Sequence, residues 1–299
     1  RGALDFDRPE TRIVFDANRK IDRITPVIRN DAHKLIEECM IAANVAAAHF
    51  LTKHKLPALF RIHDGPQPDR VTELREFLGP LGLHLGGGSK PTPQDYEKVL
   101  SKLADRPDKY LIETVLLRSL SRAVYSPDNI GHFGLAHEQY LHFTSPIRRY
   151  PDLLVHRAMR HILRGGKAGD FHYTHKAMEA LGQQTSMAEQ RADEATREAV
   201  AWLKCDYMRD KVGEVFTGTI TGVTGFGFFV ELDDVFTEGL VHVSSLDNDY
   251  YRYEATGQRL VGERSGMEYR LTDRVKVKVA NVNVDDRKID FALLSKSKR

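Results

Sequence analysis

The sequence predicts an α+β chain of more than one domain. A mainly helical part runs to about residue 212, a small five-stranded β-barrel follows over 213–295, and 296–299 form a short basic tail. Three observations carry this reading. Capped segments with apolar residues at helical spacing fill much of residues 30–211. After Gly213 short runs rich in Val, Ile, Phe and Thr alternate with glycine turns. The 299 residues are also enough for two domains of ordinary size.

Taken in order, residues 11–27 alternate as a strand pair (Ile13, Val14, Phe15, then Ile21, Ile24). Asn30-Asp31 caps a long helix to about His54, whose apolar side carries Leu35, Ile36, Met40, Val45 and Phe50. Pro57 to His63 reads as a short buried strand, and 67–82 as a helix stopped by Gly79-Pro80 and Gly82. Gly86-Gly87-Gly88-Ser89 is a turn; without a Lys-Ser/Thr ending it is no phosphate loop. Thr92-Pro93 starts a helix to about Ala104, and further helices span about 109–125, 146–163 and 173–211. Strands are predicted at 215–223, 227–232, 239–243, 274–284 and 289–293; five short strands with glycine turns suggest a barrel of the OB type.

No uninterrupted run of 18 apolar residues occurs, so no membrane span or membrane partner is expected. Residues 1–20 show no signal-peptide pattern, and Cys39 and Cys205 stand far apart, outside any metal-type pair. A reducing, cytoplasmic setting is the expectation. Net charge is only +2, but it is uneven. Residues 213–294 carry nine Lys/Arg against fourteen Asp/Glu, so a phosphate-gripping surface belongs mainly to the first part and the basic tail.

The run from His142 to Arg157, HFTSPIRRYPDLLVHR, concentrates the chemistry. Ser145 suits an N-cap and Pro146 the first helical position. Arg148 and Arg149 then fall in the first turn, where two guanidinium forks can grip a phosphate that the helix end already favours. Asp152 and His156 lie four residues apart on one face and are expected to orient the segment, with a two-ligand metal site as the alternative. The alternative is a plain helix cap with a solvated basic turn.

From Gly131-His132-Phe133-Gly134-Leu135 through Arg157 the stretch closely resembles the signature of the RNB exoribonucleases, and the likeness extends over essentially the whole chain. The resemblance implies the C-terminal part of an RNB catalytic domain over 1–212. It implies a processive 3′→5′ hydrolase that threads single-stranded and structured RNA and releases nucleoside 5′-monophosphates. Arg148 matches the family's catalytic arginine, with Arg149 as a helper. Phe6 matches the phenylalanine that stacks on the terminal base, Glu38 a glutamate facing the nucleotide, and Glu189 one that limits product release at the 3′ end. From spacing alone, Phe6 is a strand-edge residue and Glu38 and Glu189 are helix-surface glutamates.

In the barrel, Thr224-Gly225-Phe226-Gly227-Phe228-Phe229-Val230 and Gly239-Leu240-Val241-His242-Val243-Ser244 resemble the S1-type RNA-binding domain. Phe226, Phe229 and His242 would form a stacking platform, with Arg287 or Lys288 adding a backbone contact. Alternation instead puts Phe226 and Phe228 on one face and Phe229 on the other, making at least one of them core. Tyr250-Tyr251-Arg252-Tyr253 either extends the RNA path or packs down the insertion before β-strand residues 274–284.

The family's magnesium-binding aspartates lie upstream of the point where the sequence begins. Asp5-Phe6-Asp7 is followed by Arg8-Pro9 instead of further carboxylates, and Asp233-Asp234, Asp247/Asp249 and Asp285-Asp286 sit in predicted turns. The chain, which starts at Arg1 without Met, is therefore expected to be a fragment that holds no metal and cannot complete hydrolysis alone; Mg2+ belongs to the complete enzyme. The expected partner is single-stranded RNA, with RNA-decay or ribosome-associated proteins as candidates. The alternative is a non-catalytic RNA-binding module or a scaffold in an RNA-decay assembly.

Overall fold

The computed structural model describes residues 2–6, 10–104, 106, 108–246, 249–254 and 257–296. Asp7-Arg8-Pro9, Asp247 and residues 297–299 of the expected basic tail lie outside the described residues. Two compact units divide the chain. One comprises Arg1–Phe6, Arg29–Arg106 and Ile112–Asp193; the other comprises Asp7–Ile28, Pro107–Leu111 and Glu194–Arg299.

The first unit is built around helix α1 (Asp31–Lys53). Asn30 caps it, its side chain accepting from the His33 N–H at 3.2 Å, as the sequence implied. Its buried face differs from the expected one. Leu35, Ile36 and Met40 are exposed (64, 59 and 40%), and Asn44, Ala47, Ala48 and Leu51 are buried. The small alanines sit in one core with Phe60, Leu141, Val155 and Ala158, so the helix's partners select the inner face. By length and composition α1 could also cross a membrane; here its C-terminal half is core.

Helices α2 (Pro68–Leu78), α3 (Pro93–Leu100) and α4 (Lys109–Ser119) follow, with Thr92 and Asp95 closing a capping box before α3. The expected helix through Tyr125 ends at Ser119. Residues Val124–Ser126 instead form strand β4, antiparallel to β3 (Phe60–Ile62) with Arg61 opposite Tyr125. Val and Tyr favour the strand, and long-range pairing overrides the helical pattern.

The remaining helices are α5 (Tyr150–Leu163) and the 35-residue α6 (His175–Arg209), of which residues 175–193 belong to the first unit and 194–209 to the second. Within the first unit, α6 lies so close to β4 that a Cβ on Gly182 would meet the Tyr125 carbonyl oxygen at 2.7 Å, and Ser186 Oγ accepts the Tyr125 N–H at 2.9 Å. A second core joins Leu59, Tyr125, Leu154 and Met178.

In the second unit, β1 (Glu10–Phe15) and β2 (Ile21–Val27) form the expected hairpin. The barrel strands are β5 (Val215–Thr224), β6 (Gly227–Leu232), β7 (Glu238–His242), β11 (Arg274–Asn283) and β12 (Lys288–Lys296). They close in the order β5-β6-β7-β12-β11, with β12 parallel to β7 and β11 returning to β5. Phe228, Val230, Leu232, Val241, Val277 and Phe291 fill the interior.

A three-stranded meander between β7 and β11 has no counterpart in the sequence reading: β8 (Tyr251–Glu254), β9 (Arg259–Gly262) and β10 (Glu268–Arg270). Its strands are only three or four residues long, so the alternation in Tyr251-Arg252-Tyr253-Glu254 is too brief to mark a strand. Arg259 bridges Glu254 and Glu268 at 2.7 and 2.9 Å across it. Tyr269 stacks on the core residue Phe228 at 4.9 Å and contacts Tyr251, so part of the aromatic cluster packs the insertion down, while Tyr250 is exposed.

Candidate functional site

The signature segment does not start its helix where Ser145-Pro146 suggested. A helix begun there would bury Pro151 in its interior, where the ring clashes with the carbonyl four residues back. The chain instead closes a turn, with the Ser145 carbonyl accepting from the Arg148 and Arg149 N–H groups. Arg149 then takes the extended N-cap conformation and α5 begins at Tyr150, with Pro151 in its first turn. The arginines thus sit on a turn before the helix.

Asp152 and His156 hold that turn at both ends. The fully buried Asp152 carboxylate accepts from the Ser145 N–H at 2.8 Å and from Arg149 Nη2 at 2.9 Å. His156 Nε2 donates to the Phe143 carbonyl at 2.9 Å, and its ring stacks on Phe143 at 4.3 Å. Asn44, the polar residue on the buried face of α1, accepts the Phe143 N–H and donates to Tyr140 Oη. Asp152 Oδ2 and Arg149 Nε are buried with no hydrogen-bond partner.

Arg148 is exposed, and it lines a cleft of about 410 Å³ together with Arg149, Tyr125, Tyr150, Thr185 and Glu189. Three of the sequence-derived candidates, Arg148, Arg149 and Glu189, therefore meet. Sequence reasoning missed Arg61, which forks onto Glu189 and lies over the Tyr125 ring. The signal was a lone arginine between Phe60 and Ile62 in a short apolar strand. Burial raises the Tyr125 hydroxyl to about 12, and its oxygen shares a 2.8 Å hydrogen bond with His142 Nδ1. Burial, with Arg149 and Arg61 nearby, pushes His142 down to about 3.

Residues 131–137 form a loop held against His63. Gly134 approaches His63 so closely that a Cβ would meet its Nδ1 at 3.0 Å, the atom that accepts the Gly134 N–H. His63 Nε2 donates to the Ser121 carbonyl, and burial lowers its pKa. Burial together with His63 holds His132 at about 3. This group of histidines is a neutral structural cluster at ordinary pH.

Phe6 and Glu38 do not line the Arg148 cleft. Phe6 is half-buried, on a segment anchored by the Leu4 N–H on the Gly134 carbonyl. Glu38 is exposed on α1. Their neighbours Asp5 and Glu37 share the Arg29 guanidinium, so the two lie on adjoining segments.

On the barrel, Phe226 is 50% exposed, Phe229 half-buried and His242 exposed. Strand alternation, which paired Phe226 with the core residue Phe228, fails because Phe226 sits in the turn before β6. Its ring meets Phe229 edge-to-face at 6.2 Å. Gly227 pairs with His242, whose Nδ1 accepts the Ser244 N–H. Phe226, Phe229, Leu240, Arg287 and Lys288 line a cleft of about 730 Å³ whose other wall includes Arg197 of α6.

Asp233 pairs with Arg274, and Asp249 accepts from Ser265 Oγ and the N–H groups of Arg264 and Ser265, which lowers its pKa. Among the described residues no group of three or more His, Cys, Asp or Glu is placed to hold a metal ion.

The RNB domain family model matches residues 1–165 and the S1 RNA binding domain model residues 209–294. Ribonuclease R of Escherichia coli (strain K12) is 58% identical over 303 aligned residues, covering 99% of this chain and 37% of the relative. Ribonuclease R of Vibrio cholerae is 54% identical, covering 100% of this chain and 38% of the relative. The chain thus spans a little over a third of the length of these curated relatives. Among solved structures, the apo form of Mycoplasma genitalium RNase R superposes with a TM-score of 0.90 at 26% identity, over 98% of this chain and 46% of that one. Its complex with ribose methylated single-stranded RNA gives 0.87 at 26% identity, with the same coverage. With its signature turn, arginine-lined cleft and closed five-stranded barrel, the chain belongs to the RNB family and carries an S1 RNA binding domain.

Proposed function

We propose that the chain forms the RNA-gripping part of a processive 3′→5′ exoribonuclease. The complete enzyme hydrolyses single-stranded and structured RNA to nucleoside 5′-monophosphates in cytoplasmic RNA turnover. The observation that carries this reading is the Asp152-braced turn that puts Arg148 and Arg149 into one cleft with Glu189. Arg148 is free to neutralise charge developing on a phosphoryl group. Glu189, fixed by Arg61, presents acceptors suited to ribose hydroxyls. Phe226 and Phe229 offer bases a sequence-tolerant stacking surface.

Bound Mg2+ would supply activated water in the complete enzyme. No group of three or more His, Cys, Asp or Glu among the described residues is arranged to hold it, and the resemblance to the RNB family assigns its ligands to residues other than those of this chain. The chain by itself then acts as a non-catalytic RNA-binding module. RNA-decay or ribosome-associated proteins remain candidate partners.

The test is a gel of 5′-labelled single-stranded RNA incubated with the 299-residue chain and magnesium, with binding scored in parallel. Binding without shortening is expected; progressive 3′ shortening in a nuclease-free preparation would overturn the assignment of the metal ligands elsewhere. In the complete protein, Arg148→Ala should retain binding and lower turnover a hundredfold or more. Unchanged turnover would remove Arg148 from the chemistry.

A further inference from the structure

We propose that the cleft between the C-terminal half of α5 and residues 166–173 is a second phosphate site that takes a nucleoside 5′-monophosphate. It has about 540 Å³ and is lined by Arg157, Arg160 and Arg164 on one side and Phe171, His172 and Tyr173 on the other. The spacing of the three arginines, three and then four residues apart, puts them on one helix face. Arg157 donates to the hydroxyls of Tyr173 (2.8 Å) and Tyr150 (3.3 Å). Arg160 and Arg164 form no ion pair among the described residues, and Asp170 is the one carboxylate in the lining.

Cations near a helix C-terminus also favour the helix dipole, which by itself would account for Arg160 and Arg164. The dipole does not account for the opposite wall. There the rings of Phe171, Tyr173 and His172 follow one another at centroid distances of 5.6 and 5.0 Å, and His161, on α5 itself, meets Phe171 at 5.3 Å. Phe171 and Tyr173 pack against the cores of the unit, which anchors that part of the wall, while His172 is exposed. The loop is fixed as well: His161 Nε2 donates to the Lys167 carbonyl at 2.8 Å, and a Cβ on Gly166 would meet the His161 ring at 2.4 Å.

Guanidinium groups without an ion-pair partner, lining one cleft with aromatic rings, suit a phosphate joined to a flat base. Tyr150 links this cleft to the first one. It lines the Arg148 cleft while its hydroxyl accepts from Arg157. The choice of a nucleotide over another anion rests on the function proposed above.

The test titrates the 299-residue chain with adenosine 5′-monophosphate, adenosine, inorganic phosphate and an unphosphorylated oligoadenylate, read by calorimetry and by NMR of arginine side-chain and aromatic resonances. The monophosphate should bind more tightly than adenosine or phosphate, and R160A/R164A should weaken it at least tenfold without moving the thermal midpoint. Undiminished binding in R160A/R164A, or loss of binding in R148A instead, would overturn the second site. Equal competition by the oligoadenylate would assign the cleft to the RNA backbone and overturn the free-nucleotide reading. None of these outcomes depends on hydrolysis, so failure here is distinct from failure of the exonuclease reading.

Discussion

Arg61 reaches from the short strand β3 to helix α6 and forks onto both carboxylate oxygens of Glu189, Nη1 to Oε2 at 2.6 Å and Nη2 to Oε1 at 3.1 Å. Its guanidinium carbon lies 4.7 Å from the centroid of the Tyr125 ring. A cleft acceptor that would otherwise swing freely on a helix surface is thereby fixed beside Arg148 and Arg149. Arg61→Ala should destabilise the chain by about 1–3 kcal/mol, the range for a charge-assisted hydrogen-bonded pair. Arg61→Lys, which cannot make the planar two-point contact, should recover only part of it. Urea unfolding of both variants decides this; equal stability of all three proteins would show that the fork contributes nothing.

Asp152→Ala should be the more damaging change at the signature turn. It leaves the Ser145 N–H and a partly buried Arg149 guanidinium without their acceptor. Losing one partner of a buried pair costs about 3–5 kcal/mol. The turn carrying Arg148 should loosen, so the urea midpoint should fall and, in the complete protein, turnover should fall with it. A variant of native stability and native turnover would contradict the bracing role.

Gly182→Ala tests the contact between α6 and β4. A methyl group there meets a backbone oxygen at 2.7 Å, and neither main chain yields cheaply. Overpacking of this kind costs about 1–3 kcal/mol, although alanine is the better helix former. A rise in thermal midpoint would show that the close approach is not needed.

The histidine cluster predicts a pH dependence of known sign. His132 and His142 sit at about 3 in the folded chain because burial penalises their charged forms, whereas an unfolded histidine titrates near ~6.5. Below that value the unfolded chain binds protons the folded chain refuses. Their contribution is complete above pH ~6.5 and is lost as pH falls toward 3, by up to about 1.4 kcal/mol per pH unit for each group. Urea midpoints at pH 7, 6, 5 and 4 should decline, and NMR should show neither ring titrating between pH 5 and 8. Ring titration near 6.5 would place these side chains in water.

On the barrel, Phe226→Ala and Phe229→Ala should each weaken single-stranded RNA binding by about 1–3 kcal/mol with little loss of fold, because both rings retain exposure. Phe228→Ala should instead unfold the barrel first, by about 3–5 kcal/mol, since its ring is fully buried. Filter binding and thermal melts on the three variants separate the roles. Equal RNA affinity for wild type and both platform variants would move the binding face elsewhere.

The sequence by itself determined the elements whose signals are local. Asn30 capped α1 and Thr92-Pro93 started α3, because a side chain that satisfies a nearby N–H needs no distant partner. The five barrel strands follow the alternation and glycine turns of residues 213–295, and the signature from Gly131 to Arg157 pointed to the family. Tertiary structure decided everything that depends on what an element packs against. It chose Ala47 and Ala48 over Leu35 and Ile36 as the inner face of α1, and turned Val124–Ser126 into a strand. It also built a meander from charged segments, brought Phe226 beside Phe229, and joined Arg61 to Glu189 across 128 residues. Local propensity is worth tenths of a kcal/mol per residue, whereas burial and long-range pairing are worth roughly one to three for each side chain, so where the two disagree the partner wins.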